Sequence, residues 1–149
     1  MSVANRDLVR ARGAARKLLV QALYQWQLGR QPANELVAQF AATPEYARVD
    51  AGYFREALAA ICADPEALDA ELRPHSDIEL ARLDPVEHAI LYVGIWELTA
   101  RPDVPYRVVI NEAVELAKRF GATEGHRFVN AVLDKASRSH RADERGAVA

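Results

Sequence analysis

The chain has 149 residues and a mass of 16.5 kDa; 50% of its residues are apolar and 27% charged. That is the make-up of one soluble globular domain, or of two small halves sharing a core. A chain this long hides roughly 68–70% of its unfolded surface and needs no staple to fold. Its single cysteine, Cys62, excludes an internal disulfide framework and a cysteine-built zinc cluster. No apolar run reaches membrane-spanning length, and Arg6, Asp7, Arg10 and Arg12 interrupt any secretory core early, so the expected compartment is the cytoplasm. The net charge of −2 is unevenly spread. Residues 1–30 carry six basic groups against Asp7, net +5; residues 31–103 are net −9 and residues 104–149 net +2. A basic end on an acidic body suggests a polyanionic partner there, or simply an uneven scatter of charge.

Helical punctuation runs through the chain, with no hairpin dipeptide. The periodicity predicts a first helix over 3–28 that ends near Gly29, with Leu8, Ala11, Ala15, Leu18, Leu19, Ala22 and Trp26 as its apolar stripe. Arg6, Arg10 and Lys17 fall on the opposite face with Tyr24 in line, and Arg12 and Arg16 border the stripe. A second helix follows Pro32 to about Ala42, and a third is expected from a Thr43 cap and Pro44 to about Ala63. A short fourth starts at Asp64-Pro65 and stops before Pro74. Ser76 and Glu79 read as a capping box.

Asp84-Pro85-Val86-Glu87 opens a fifth helix, with Asp84 as cap and Glu87 reaching back, and residues 89–98 are apolar nearly all round, as in the centre of a bundle. A sixth helix, about 107–120, has the stripe Ile110, Ala113, Val114, Ala117, Phe120 and is expected to end with Gly121 left-handed. Thr123 is placed to cap the seventh, about 124–137, which should bury Phe128, Val129, Val132 and Leu133. The expectation is an all-α protein of about seven helices in two packed helical-bundle halves, 1–75 and 76–138, divided softly near 74–84, with 139–149 a flexible tail.

Chemistry-bearing patterns are scarce. No phosphate-cradling glycine loop or nucleophile elbow is present, and the four histidines show no metal spacing. Glu112 and Glu115 belong to a solvated face, Glu115 being paired four residues on with Arg119. Asn111 and Asn130 are expected to hydrogen-bond across helices or to cap loop carbonyls. No catalytic residue, metal or cofactor is called for. The basic first helix is the better lead, because single-stranded RNA is held by cations that track phosphate and by planes on which bases stack. The alternative is an ordinary solvated face that carries a tyrosine.

Residues 20–28 (Val-Gln-Ala-Leu-Tyr-Gln-Trp-Gln-Leu), Asp103-Val104-Pro105-Tyr106, residues 109–118 (Val-Ile-Asn-Glu-Ala-Val-Glu-Leu-Ala-Lys), Phe120-Gly121 and residues 128–135 (Phe-Val-Asn-Ala-Val-Leu-Asp-Lys) together resemble the NusB family of bacterial transcription antitermination factors. Tyr53-Phe54 and residues 84–87 extend the resemblance over nearly the whole chain. It implies an all-helical fold and a non-enzymatic function. The family pairs with NusE, a small-subunit ribosomal protein, and the pair binds boxA RNA to help RNA polymerase elongation complexes read through terminators, notably in ribosomal RNA operons.

The resemblance further implies RNA contacts at Arg12 and Arg16 with neighbours Arg10 and Lys17, and at the basic–aromatic pair Arg127 and Phe128. It implies a NusE-facing surface at Tyr24 and Glu87, with Glu124 near both surfaces. His75 and Tyr92 occupy positions where the family has other aromatic or basic residues, and both offer rings for stacking. The arginine-rich start is thinner here, interrupted by Gly13, Ala14 and Ala15, and Ile78 stands where an arginine can occur. A homodimer, or a self-associating docking module for RNA-modifying or ribosome-assembly machinery, is the alternative expectation.

Overall fold

A computed structural model describes residues 2–146 and is all-α: eight α-helices and three short 3-10 turns, with no strand among the described residues. The chain divides into two compact units, the first ending at Ala63 and the second beginning at Asp64.

In the first unit, helix α1 (Val3–Gly29) starts at Ser2, whose hydroxyl accepts from the Asn5 amide at 3.1 Å. It buries Ala15, Leu18, Leu19, Ala22 and Trp26 as expected, together with Val20 and Leu23. Leu8 does not join the stripe; it is 46% exposed, because α1 is exposed on every side up to Arg10. The left-handed residue that ends α1 is not Gly29 but Arg30, at φ 54, whose amide donates to the Trp26 carbonyl at 2.7 Å. The Arg30 guanidinium lies over the Trp26 ring at 4.2 Å, which offsets the backbone cost.

Helix α2 (Ala33–Ala41) buries Leu36 and Phe40. The single helix expected over 43–63 is two pieces, a 3-10 turn at Pro44–Arg48 and helix α3 (Ala51–Ala63). Asp50 makes the break. Its carboxylate accepts from the Tyr53 amide at 3.1 Å, capping α3, while its own amide donates to the Ala11 carbonyl at 3.0 Å. Thr43 caps nothing; its hydroxyl donates back to the Phe40 carbonyl. Phe54, fully buried, meets the Tyr46 ring edge-on at 5.9 Å and the Phe40 ring at 6.3 Å.

In the second unit, Asp64 caps helix α4 (Pro65–Leu72) by accepting from the Ala67 amide at 3.2 Å. The chain then passes through a 3-10 turn at Arg73–His75. Ser76 forms no capping box: its hydroxyl closes a local turn on the amide and carbonyl of Ile78, and a 3-10 turn follows at Leu80–Arg82. Helix α5 (Pro85–Ala100) is capped by Asp84, which accepts from the Val86 amide at 2.8 Å, and is buried from Ala89 to Leu98. The unit boundary falls ahead of α4 because Asp69 on α4 binds two α5 side chains, His88 at 2.7 Å and the Tyr92 hydroxyl at 3.1 Å.

Helix α6 (Tyr106–Phe120) buries Ile110, Ala113 and Ala117 with Val109 and Leu116. Phe120, at the helix end, is 36% exposed, with the Arg119 guanidinium 5.5 Å from its ring. Gly121 is not left-handed (φ −86); a side chain there would come within 2.7 Å of the Ala117 carbonyl oxygen. Helix α7 (Gly125–His140) is preceded by Glu124, not capped by Thr123, and Glu124 itself takes the left-handed conformation at φ 72. Val129, Val132 and Leu133 are buried and Phe128 is half-buried.

Residues 139–146, expected to belong to a flexible tail, are helical but for Arg141. Helix α7 runs through His140, and helix α8 (Ala142–Gly146) follows. Arg141, 7% exposed, donates to the carbonyls of Glu97 (3.1 Å), Leu98 (3.0 Å), Arg101 (2.9 Å) and Val104 (2.8 Å) and pairs with Glu144 at 2.9 Å. Glu144 in turn accepts from the Tyr106 amide at 2.9 Å, at the start of α6. One ion pair therefore satisfies carbonyls at the end of α5 and an orphan amide of α6, and fixes the loop between them. Residues 147–149 of the expected tail lie outside the described residues. Arg141→Ala should lower the unfolding free energy by about 3 kcal/mol in urea titrations, because it strips donors from four carbonyls and leaves Glu144 without its cation. A loss below half that would mean water replaces the guanidinium freely.

Candidate functional site

The exposed face of α1 carries Arg6, Arg10, Lys17 and Tyr24, the last 41% exposed. Arg10, Lys17 and Tyr24 recur every seven residues, so each lies two turns, about 10.5 Å, along the same side of the helix. Between Arg10 and Lys17 the surface is low, formed by Gly13 and Ala14.

Arg12 and Arg16, the arginines expected to lead in RNA contact, are placed differently. Arg12 Nε lies 3.5 Å from Asp50 and its guanidinium is 5.0 Å from the Tyr53 ring centre. Arg16 is 4% exposed and stands 5.7 Å from the same ring. Both guanidiniums thus lie close to residues at the start of α3.

In the second unit the starts of α5 and α7 meet. Glu87, 9% exposed, does not reach back along α5 as a capping residue. Its carboxylate occupies the space beside Gly125 that a side chain would need. Any larger residue at Gly125 would displace it. Burial, and then the neighbouring Asp84 charge, push the Glu87 carboxyl above its ordinary value. Beside Gly125, Glu124 pairs with Arg127 at 2.7 Å, and both are exposed. A non-glycine residue held left-handed here is backbone strain of a kind that collects at binding sites.

Tyr92 is not an exposed stacking platform. It is 3% exposed, its hydroxyl is committed to Asp69 and its ring stacks on His88 at 4.3 Å. His75 is half-buried. Burial, then the nearby His140 and Lys135, hold its imidazole below its ordinary value, with Glu71 opposing, so at neutral pH it offers an uncharged ring. Sequence reasoning missed Asp50 and Asp69, the two carboxylates that engage Arg12 and Tyr92. Neither stands in a motif that marks it out in the sequence, and only the fold brings it to its partner. Cys62 is pushed up to about 11 by burial, so its thiol stays protonated at neutral pH. No group of side chains able to hold a metal occurs among the described residues, and no described helix is long and apolar enough to cross a membrane.

The raised Glu87 carboxyl has a thermodynamic consequence. The folded state holds this proton more tightly than the unfolded chain does, so the contribution of Glu87 to stability is greatest below the ordinary glutamate value and is lost as pH rises through the raised one. Glu87→Gln, which keeps the size of the side chain and removes its charge, should therefore melt higher than the parent at pH 7, and this advantage should vanish at pH 4. Equal melting temperatures at pH 7 would contradict the burial argument.

The NusB family profile matches residues 13–138 of this chain. The transcription antitermination protein NusB of Pseudomonas putida (strain W619) is 53% identical over 133 residues, covering 89% of this chain and 80% of the relative. The protein of the same description from Idiomarina loihiensis is 49% identical over 126 residues, covering 85% of this chain and 91% of the relative. A solved structure of T. maritima NusB superposes with a TM-score of 0.74 at 25% identity, covering 86% of this chain and 91% of that one. With the profile spanning most of its length and half its residues shared with these relatives, the chain belongs to the NusB family.

Proposed function

We propose that this chain is a cytoplasmic, non-enzymatic transcription antitermination factor that pairs with NusE and binds boxA RNA, supporting transcription of ribosomal RNA operons. The observation that carries the reading is the sorting of cations on α1. Arg6, Arg10 and Lys17 stand in solvent on one face with Tyr24, while Arg12 and Arg16 lie against Asp50 and Tyr53. A line of exposed cations, about 6 Å apart between Arg6 and Arg10 and about 10.5 Å between Arg10 and Lys17, suits a single-stranded phosphate backbone, and an exposed tyrosine suits a base or a partner surface.

On this reading Arg10 and Lys17 contact phosphate directly. Arg12 and Arg16 hold α1 in place and contribute charge from beneath. Tyr24 in the first unit, and Glu87 with Glu124 in the second, contact NusE, and Arg127, Phe128 and the neutral His75 ring are the RNA-facing contribution of the second unit. No covalent step is involved. The RNA tethers the protein pair to the elongating polymerase, and two modest affinities multiply through that tether. The acidic middle of the chain explains why it needs NusE: residues 31–103, at net −9, repel RNA in general.

Fluorescence anisotropy on labelled boxA RNA, with this protein alone and then with purified NusE, tests the reading. Tight binding that appears only with NusE and prefers boxA over a scrambled sequence is expected. No gain from NusE and no sequence preference would overturn it, and concentration-dependent self-association in light scattering would then favour the docking-module alternative.

A further inference from the structure

A second polar surface lies wholly within the second unit, on the groove between α6 and α7. It is an open depression of about 260 Å³ lined by Arg107 and Asn111 from α6, Asn130 and Asp134 from α7, Arg145 from α8, and Tyr106 with Ile110 beneath. Asn111 and Asn130 are both exposed, and neither side-chain amide has a hydrogen-bond partner among the described residues. They do not bond across the helices or cap carbonyls, as the sequence suggested. Arg107 follows the same pattern one turn earlier on α6: its Nε donates to the Tyr106 hydroxyl at 3.2 Å, leaving the outer nitrogens of the guanidinium toward solvent. Asp134 does not make the groove acidic, because its two oxygens are engaged by Arg138 at 2.9 Å and Arg145 at 3.1 Å.

We propose that this groove binds a carboxylate carried on an extended peptide segment. Two primary amides and a guanidinium with free donors supply the planar, multiply donated cradle that a carboxylate accepts. Each asparagine amide also presents a donor and an acceptor side by side, the match for a peptide N–H and C=O. RNA is the poorer fit. The groove has no open stacking platform, since the Tyr106 ring is 9% exposed and already lies 4.8 Å from the Arg145 guanidinium and 5.7 Å from that of Arg107. The carboxylate has two possible sources, an acidic side chain or a chain terminus, and both present the same chemistry. The proposal stands independently of the α1 face and of boxA binding.

The test is an NMR titration of the full-length ¹⁵N-labelled chain, following the side-chain amide signals of Asn111 and Asn130. The probes are N-acetyl tetra-alanine with a free C-terminal carboxylate, an N-acetylated, C-amidated alanine peptide with one internal aspartate, the fully blocked tetra-alanine, and oligouridylate. Both asparagine signals should move saturably with one or both carboxylate peptides and stay fixed with the blocked peptide. The peptide that moves them identifies the source as terminus or side chain. Asn111→Asp and Asn130→Asp, exposed substitutions whose backbone spectra report that the fold is kept, should each weaken the response about tenfold by setting an anion against the ligand. Absence of shifts with both carboxylate peptides, equal shifts with the blocked peptide, shifts with oligouridylate alone, or an unchanged response in both variants would overturn the proposal.

Discussion

A guanidinium taken out of water must be given acceptors in the protein, and in this fold that constraint decides which arginines build the molecule and which remain for function. Arg141 is the fullest case. Its donors reach four carbonyls around the end of α5 and one carboxylate, and the carboxylate passes the connection on to the first amide of α6. The loop between α5 and α6, the start of α6 and the last helix are held by this one pair. The pair also bears on the α6–α7 groove, since Tyr106, whose amide Glu144 holds, and Arg145, whose guanidinium lies 4.8 Å from the Tyr106 ring, both line it.

The same constraint operates in the first unit at smaller scale. Asp50 caps α3 with one oxygen and faces Arg12 with the other, and Tyr53 lies under both Arg12 and Arg16. A basic helix that reads in sequence as one undivided patch is thereby separated into two sets: arginines lying against α3, and cations left in solvent on the opposite side. Asp7 is the one carboxylate on α1, and none of Arg6, Arg10 and Lys17 is in an ion pair among the described residues, so their charge is available to a polyanion.

Much of this was readable from the residues. Strong caps declared themselves: Asp64-Pro65 and Asp84-Pro85 each start a helix where the dipeptide says, and the apolar run of 89–98 is the buried centre of the second unit. The relative angles of Arg10, Lys17 and Tyr24 followed from helical geometry alone. What failed depended on partners distant in sequence. Asp50 splits a periodic stretch because Tyr53 and Ala11 are there to receive it. Gly121 and Thr123 carry the usual terminal signals, but the turn before α7 is shaped by Glu87 lying against Gly125, 38 residues away in the sequence. The polar composition of 139–146 suggested fraying, since nothing local reveals that Arg141 meets carbonyls at 97–104. Tyr92 resembled a free ring until Asp69, twenty-three residues earlier, claimed its hydroxyl.

The central claim is that the solvent-facing cations of α1 neutralise phosphate while Arg16 supports the helix. The salt dependence of boxA binding, measured with NusE present, tests it most directly. If about four phosphates are neutralised, the slope of log affinity against log salt lies near −3, and removing two contacts with Arg10→Ala and Lys17→Ala shallows it by roughly 1.4. Arg16→Ala, compared at equal folded fraction, should lower stability and leave the slope in place. A slope that ignores the loss of Arg10 and Lys17, or that responds to Arg16 alone, would contradict the assignment of roles on this helix.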